Sequence, residues 1–305
     1  MARPSPVTDT LTAYRPVASS LVDSYERHLK AQRRRGDTIT AYVTIARRFL
    51  EFAEQQGFPD IGQLRREHVE TWLASFGERS SHTQRMYFVV LRQWFRWLDE
   101  EGEITRNPME RMKAPALDEP QKDVVATPDM ASVLKTLQRE KNWRDLAIVA
   151  LLYDTGMRSS ETCSLRIEDV DFAGNVIHVR GTETKARVGR VVPLSPSCVA
   201  HLDRYLRKRR DTLPWLFVGQ KGQLTRAGMY WLVRRAFEAT GQKIGPHDLR
   251  HTSATHTAGS LSENDRMLIY GWRDPAMARH YSRQAAQQNA IEAHRKASPL
   301  ENLRK

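Results

Sequence analysis

A small set of residues in the second half of the chain has the chemistry needed to cleave a phosphodiester. Tyr281 is preceded by two arginines, Arg158 and Arg250, and by a histidine, His247. A phenol can attack phosphorus, and the transition state that follows carries extra negative charge on the non-bridging oxygens. Arginine suits that charge because its planar fork binds two oxygens and keeps its proton. The set therefore predicts attack on a phosphodiester by tyrosine.

The surroundings of Arg158 indicate a partly buried cation. It follows Thr155-Gly156, where the glycine allows an apolar helix to end and the chain to turn. An arginine at the end of a buried helix points at least part of its side chain into the protein. The alternative is a helix-end arginine that only pairs with Glu161, three residues further on.

His247 and Arg250 are predicted to share one face of a helix. Pro246 suits a first helical turn and Asp248 suits the positive end of the helix dipole. Residues three apart in a helix lie side by side, so the imidazole and the guanidinium can reach one phosphate. The alternative is a surface helix of mixed charge.

Proton transfer requires further groups. A free phenol has a pKa of about 10, so Tyr281 needs a base, and His247 is the natural one. The departing hydroxyl needs an acid, and Lys185 lies in a polar connector between two predicted strands. Arg187 and Arg190 are rival cations, and a solvated turn lysine is the alternative for Lys185.

The elements that position these residues are mostly helices, in two domains. The first fifteen residues are rich in Pro, Ser and Thr, and we expect them to be disordered. Residues 16–107 then predict a helical domain, and 108–126 a linker without periodicity. The amphipathic segments of the helical domain are 21–29, 38–53, 69–76 and 86–98, the second of them capped by Thr38.

The second predicted domain spans residues 127–305. Residues 146–153 predict a buried helix, and residues 176–179 and 190–194 predict two short strands that flank the polar connector. Helices continue to the end, including a C-terminal helix and tail at 284–305. The fold class predicted is mainly α with a small β-hairpin or sheet.

Charge and composition indicate a nucleic-acid partner. The net charge is +12 in a chain of 305 residues, and such a balance favours a polyanion. The basic run Lys30, Arg33, Arg34 and Arg35 joins two predicted helices, so we expect it to contact the DNA backbone, and we expect the same of Arg187 in the polar connector. Both it and the run 204–210 could instead be ordinary solvated surface.

The sequence predicts neither a metal nor a cofactor. It has no paired-cysteine zinc pattern, no acidic cluster at two-metal spacing and no glycine-rich phosphate loop. Two cysteines indicate a reducing compartment, and the longest apolar run is far shorter than the roughly 20 residues of a membrane helix. We therefore expect a cytoplasmic protein without membrane spans.

Taken together, these motifs resemble the tyrosine recombinases of the phage integrase family. The resemblance implies a helical core-binding, SAM-like domain followed by a mixed α+β catalytic domain. It also implies site-specific recombination of double-stranded DNA by a homotetramer, through a 3′-phosphotyrosine and a Holliday junction, without ATP. The matching motifs are Thr155-Gly156-Met157-Arg158-Ser159-Ser160-Glu161, Thr184-Lys185 leading to Arg190-Val191-Val192-Pro193-Leu194, His247-Asp248-Leu249-Arg250-His251-Thr252, and Gly271-Trp272 before Tyr281.

The family's roles then apply by position. Arg158 and Arg250 would clamp the scissile phosphate, Lys185 would be the general acid, and His247 would assist at the nucleophile, Tyr281. Glu161 would brace the site from behind.

One position departs from the commonest family pattern. Trp272 stands where many members have histidine; its N–H can donate to a non-bridging oxygen but cannot transfer protons at neutral pH. In the family, a tail like that beyond residue 284 docks on a neighbouring protomer; the alternative is a tail folded on its own domain.

Several biological roles fit this chemistry. The hairpin Gly181-Thr182-Glu183-Thr184-Lys185-Ala186-Arg187 looks more like integrases than like the Gly-Lys-Gly hairpin of Xer enzymes. A short N-terminal region leaves little room for an additional arm-binding domain. We therefore expect a compact integrase of a phage or mobile element, with possible accessory DNA-bending or directionality proteins. The alternatives are a Xer-like dimer resolvase and a non-catalytic DNA-binding regulator.

Overall fold

The computed structural model describes residues 14–57, 61–77, 79–118, 124–181 and 188–297 of the chain. They fall into two compact units, one within Met1–Pro120 and the other within Gln121–Lys305. Helices dominate both units, and the strands in the described residues form two small sheets in the second unit. The predicted fold class is confirmed.

The first unit is a small helical domain built around aromatic side chains. Four amphipathic helices, α1 (Tyr14–Ala31), α2 (Gly36–Gln55), α3 (Arg66–Ala74) and α4 (Ser81–Glu100), bury their apolar faces against each other. Phe49 lies at the centre, with edge-to-face contacts to Trp72, Trp94 and Phe95. The four predicted helices are confirmed.

Two details of the first unit differ from the sequence predictions. Helix α1 begins at Tyr14, within the first fifteen residues for which disorder is predicted, and residues 1–13 lie outside the described part. Helix α2 begins at Gly36 with Arg35 as its N-cap, so Thr38 is not the cap. Regular helical geometry extends further toward the N-terminus than the apolar periodicity does, because the first turn does not need buried side chains.

The segment predicted as a linker packs partly onto the first unit. In its described residues it has neither helix nor strand. Met109 and Met112 are nevertheless buried in the helical core, and Arg92 donates to the Met112 carbonyl at 3.1 Å. Near the other end, Val125 is buried in the second unit. Two methionines without a periodic pattern around them gave no sequence signal of this packing.

The second unit is organised around one helix with a buried apolar run. Helix α6 (Trp143–Thr155) buries every residue from Leu146 to Leu152 and packs against helices on several sides. The other helices are α5 (Thr127–Arg139), α7 (Ser159–Ser164), α8 (Pro196–Lys208), α9 (Arg226–Ala236), α10 (Pro246–His256), α11 (Glu263–Tyr270) and α12 (Pro275–Ala297).

The main sheet of the second unit has three antiparallel strands. Strands β1 (Val170–Asp171), β2 (Val176–Val179) and β3 (Arg190–Pro193) lie in chain order, with Ile177 opposite Val192. The two predicted strands are confirmed as β2 and β3. A second pair, β4 (Val218–Gly219) and β5 (Gly222–Gln223), was not predicted, because two-residue strands are too short to show alternation.

Helix α12 carries Tyr281 and continues into the predicted C-terminal helix as one element. Its direction is set locally by Pro275, which fixes the first turn, and by Ala278 and Tyr281, which are buried on one side. Residues 298–305 lie outside the described part. None of the described helices has the length and apolarity required to span a membrane.

Candidate active site

One pocket in the second unit brings together five of the six side chains predicted to be catalytic. Arg158, His247, Arg250, Trp272 and Tyr281 all line it. They come from the start of α7, from α10, from the turn after α11 and from α12. The sixth, Lys185, and the predicted DNA contact Arg187 lie outside the described residues.

Glu161 lies behind this pocket and anchors two arginines. Its carboxylate accepts hydrogen bonds from the guanidinium groups of Arg158 (3.0 Å) and Arg190 (2.7 Å), and from the Arg158 backbone N–H (3.1 Å). The side chain of Glu161 is fully buried, and burial alone would raise its pKa. The hydrogen bonds and charges of Arg190 and Arg158 outweigh burial and lower the pKa below its ordinary value.

Arg190 is held by hydrogen bonds to Glu161 and to the end of α11. It binds Glu161 with two nitrogens and donates to the Ile269 carbonyl at 2.9 Å. Its side chain is only 10% exposed. Arg190 therefore links strand β3 to Glu161 and to the end of α11 by hydrogen bonds. Strand β3 follows the predicted Lys185 hairpin in the chain.

Arg250 is the most deeply buried cation lining the pocket in the described residues. It is 4% exposed and donates to the carbonyls of Gly156 (2.6 Å) and Tyr270 (2.8 Å). Burial and then the charge of Arg158 lower its pKa to about 10. The guanidinium therefore still carries its charge at neutral pH, and two of its donors are already fixed by backbone.

The Tyr281 ring is held between other rings. It stacks on Trp272 (centroids 5.1 Å apart, planes at 6°) and meets the edge of His251 at 5.2 Å. Tyr281 is 4% exposed, and burial raises the pKa of its phenol, although the charges of Arg250 and Arg158 act in the opposite direction. The phenol is thus neutral near pH 7 and needs a base before it can attack.

Trp272 is the middle ring of a three-ring stack. Its other face lies 4.8 Å from Tyr270, and the Arg250 guanidinium lies over both rings at 5.8 and 5.5 Å. The Tyr270 hydroxyl is hydrogen-bonded to Ser253 Oγ at 2.8 Å. The stack fixes the indole beside the Tyr281 ring. Nothing in the sequence indicated Tyr270, because its contacts are made across helices.

His247 lies on the open side of the pocket. Its helix begins as predicted, with Pro246 in the first turn and Asp248 Oδ2 accepting from the Gly245 N–H at 2.9 Å. Because His247 is exposed while Arg250 is buried, the two side chains reach the pocket from solvent and from the core. Arg226 and Arg273 also line this pocket. Neither was predicted, because neither belongs to the motifs that indicated the other residues.

The predicted DNA-contacting run lies in the first unit. Lys30, Arg33, Arg34 and Arg35 are all exposed where α1 ends and α2 begins. Lys30 also pairs with Glu26 at 2.6 Å. Within the described residues, no group of His, Cys, Asp and Glu side chains has the arrangement of a metal site.

Comparisons with known proteins show the family of this chain. A model of the phage integrase family matches residues 124–288, and a model of the phage integrase N-terminal SAM-like domain matches residues 22–102. The tyrosine recombinase XerA of Pyrococcus horikoshii is 30% identical over 248 residues, which cover 79% of this chain and 80% of the relative. The chain therefore belongs to the phage integrase family: it is a tyrosine recombinase, an enzyme that cleaves and rejoins DNA.

Solved structures share its fold at lower identity. The Tn1549 transposon integrase, in complex with transposon right end DNA, covers 90% of this chain and 99% of its own, with a TM-score of 0.76 and 19% identity. A lambda integrase dimer bound to a COC′ core site covers 87% of this chain and 94% of its own, with a TM-score of 0.70 and 19% identity. The resemblance stated from the sequence motifs is confirmed.

Proposed function

We propose that this tyrosine recombinase acts as a compact integrase of a phage or mobile element, with Tyr281 as its nucleophile. One observation supports Tyr281 as the nucleophile: a buried phenol, two arginines, a histidine and an indole from separate elements line one pocket. Attack of the Tyr281 oxygen on phosphorus forms a 3′-phosphotyrosine and releases a 5′-hydroxyl. Attack by a 5′-hydroxyl of the partner duplex reverses the chemistry and yields the recombined strand.

Arg158 and Arg250 would clamp the scissile phosphate. Both cations are held before substrate arrives, Arg158 by Glu161 and Arg250 by two carbonyls. Donors that need no reorganisation at the moment of reaction stabilise a developing charge most effectively. Their mutual repulsion, which contributes to the lowered pKa of Arg250, is relieved when a phosphate dianion-like transition state lies between them.

Proton transfer falls on His247 and Lys185. His247 would accept the Tyr281 proton, because the buried phenol has a raised pKa and does not ionise unaided. Lys185 would protonate the departing 5′-oxygen. Trp272, which lines the pocket and stacks on Tyr281, would donate its indole N–H to a non-bridging oxygen.

DNA binding would use exposed cations in both units. Lys30, Arg33, Arg34 and Arg35 would follow the backbone from the first unit, and Arg187 from the hairpin. We propose a homotetramer on two duplexes, with the α12 extension docking on a neighbouring protomer. The dimeric lambda integrase on its core site is a multimeric precedent with the same fold.

A second role, as a Xer-like resolvase of chromosome or plasmid dimers, is favoured by the identity to XerA. The hairpin difference from Xer enzymes favours the integrase role, and that hairpin lies outside the described residues. The two roles are separated by substrate: recombination between a circular element and a chromosomal target indicates an integrase, whereas resolution at two identical chromosomal sites indicates a resolvase.

The chemistry is tested with a nicked suicide DNA that traps the covalent adduct. Tyr281→Phe should bind DNA normally and form no adduct, and Arg158→Ala should also lose cleavage. Tyr205→Phe, a buried tyrosine of α8 in the same unit, is the control and should behave as wild type. An adduct in Tyr281→Phe would refute the nucleophile, and DNA binding without an adduct in wild type would favour the non-catalytic regulator.

A further inference from the structure

A second buried arginine, outside the pocket, lies between the last two helices. Arg266 of α11 is 1% exposed. Its guanidinium donates to the Ala278 carbonyl at 3.2 Å and to Ser282 Oγ at 2.6 Å, both on α12. Ser282 Oγ in turn donates to the same Ala278 carbonyl at 3.1 Å. A charged fork therefore joins α11 to α12 in the protein interior.

The two oxygens flank Tyr281 in the sequence and on its helix. Ala278 lies one turn before the tyrosine, and Ser282 is the next residue. Two bonds from a planar fork define both a distance and an orientation. They therefore fix the rotation and height of α12 at the turn from which the phenol projects.

The C-terminal end of α11 also accepts hydrogen bonds from two arginines at the site. Arg250 donates to the Tyr270 carbonyl and Arg190 to the Ile269 carbonyl. The same short helix thus contacts the phosphate-binding arginine, the arginine that braces Glu161, and the helix of the nucleophile. A displacement of α12 relative to α11 is a displacement of Tyr281 relative to Arg250.

Packing alone does not account for an arginine at this position. Taking a guanidinium out of water is costly, and an apolar side chain of similar size fills such a space with less desolvation. What the apolar side chain cannot provide is a directional bond to two chosen oxygens. The bonds to Ala278 and Ser282 are therefore the property that distinguishes arginine here.

We propose that Arg266 is a positioning residue that sets the place of the Tyr281 hydroxyl relative to the arginine pair. The proposal rests on the proposed role of Tyr281 as nucleophile. A displacement of the attacking atom by about 1 Å costs on the order of 100-fold in rate. Arg266→Met should thus slow adduct formation by about 100-fold, and Ser282→Ala, which leaves the Ala278 bond, by about tenfold.

The test compares two reactions of the same folded enzyme. The first is single-turnover cleavage of the suicide DNA, which needs Tyr281. The second joins a 5′-hydroxyl strand to a strand that ends in a 3′-p-nitrophenyl phosphate. There the 5′-oxygen bonds to phosphorus and p-nitrophenolate leaves in place of the tyrosine, so Tyr281 is not needed. Tyr281→Phe is the positive control for the second reaction.

Arg266→Met and Ser282→Ala should cleave about 100-fold and about tenfold more slowly than wild type, and both should retain joining within about twofold of wild type. Arg266→Lys, which keeps the charge without the fork, should also cleave slowly. Leu268→Ala, on the same helix at a side chain 71% exposed, is the matched control and should cleave normally.

Parallel loss of both reactions would show that Arg266 only holds the fold, and unchanged cleavage would show that it positions nothing. If Arg266→Met does not fold, Ser282→Ala decides between these outcomes. A wild-type enzyme without an adduct, or an adduct in Tyr281→Phe, would overturn the proposed function itself.

Discussion

Replacing Gly156 with alanine tests how closely the three-ring stack and the phosphate clamp depend on one backbone position. Gly156 ends α6 in the left-handed region, with φ of +57°, and a Cβ placed on it would lie 2.2 Å from Tyr270 Cε1. The left-handed backbone costs an alanine about 1–2 kcal/mol. Forcing the methyl group against a packed ring adds about 1–3 kcal/mol.

The ring of Tyr270 has little room to withdraw. Its hydroxyl is hydrogen-bonded to Ser253 and Thr257, and its face lies against Trp272. Relief of the clash therefore moves either this stack or the Gly156 carbonyl, which accepts the 2.6 Å bond from Arg250. Either movement disturbs the site as well as its stability.

Gly241→Ala is the matched control. Gly241 lies in the same unit with φ of +71°, and a Cβ there would have no atom within 4 Å. The backbone cost is therefore shared, and the difference of about 1–3 kcal/mol between the variants isolates the clash.

The assays are thermal unfolding and adduct formation. For a unit of this size each kcal/mol lowers Tm by about 2–4 °C, so Gly156→Ala should melt about 2–12 °C below Gly241→Ala. Gly156→Ala should also slow adduct formation on the suicide DNA, whereas Gly241→Ala should not. Equal melting temperatures for the two variants would refute the close-packing argument.

Two further predictions follow from charge. The pKa of Glu161 is lowered in the folded protein, so its ionisation stabilises the fold fully above the unfolded pKa of 4.5 and progressively less as pH falls toward the folded pKa. The difference in free energy of unfolding between wild type and Glu161→Gln should therefore become smaller below about pH 4.5. A difference that stays constant from neutral to acid pH would contradict this. Arg34→Ala should lower the slope of log affinity against log salt by about 1 if Arg34 contacts a phosphate. Arg96→Ala, at an exposed arginine of the same unit paired with Glu100, should leave the slope unchanged, and equal slopes for all three proteins would exclude the contact.

Local sequence was enough to predict most of the elements. Apolar residues at helical spacing located the four helices of the first unit, and the unbroken run within α6 indicated a helix buried on all sides. Pro246 marked the start of α10, and Gly156 the end of α6. These features depend on residues a few positions apart, so the local sequence pattern predicts them. The first residues of helices, as at Tyr14 and Gly36, were not located from the sequence, because first turns need no apolar side chains.

The sequence by itself determined which side chains are candidates for the site: a phenol, two arginines, a histidine and an indole, in motifs that resemble one family. Only the tertiary structure showed which residues contact and support them. Arg190 is 29 positions from Glu161 and binds it with two nitrogens; the same structure places Tyr270 under Trp272 and Arg266 between α11 and α12. Such contacts depend on where distant helices cross, and that is set by the packing of whole apolar faces, so spacing along the chain does not reveal them.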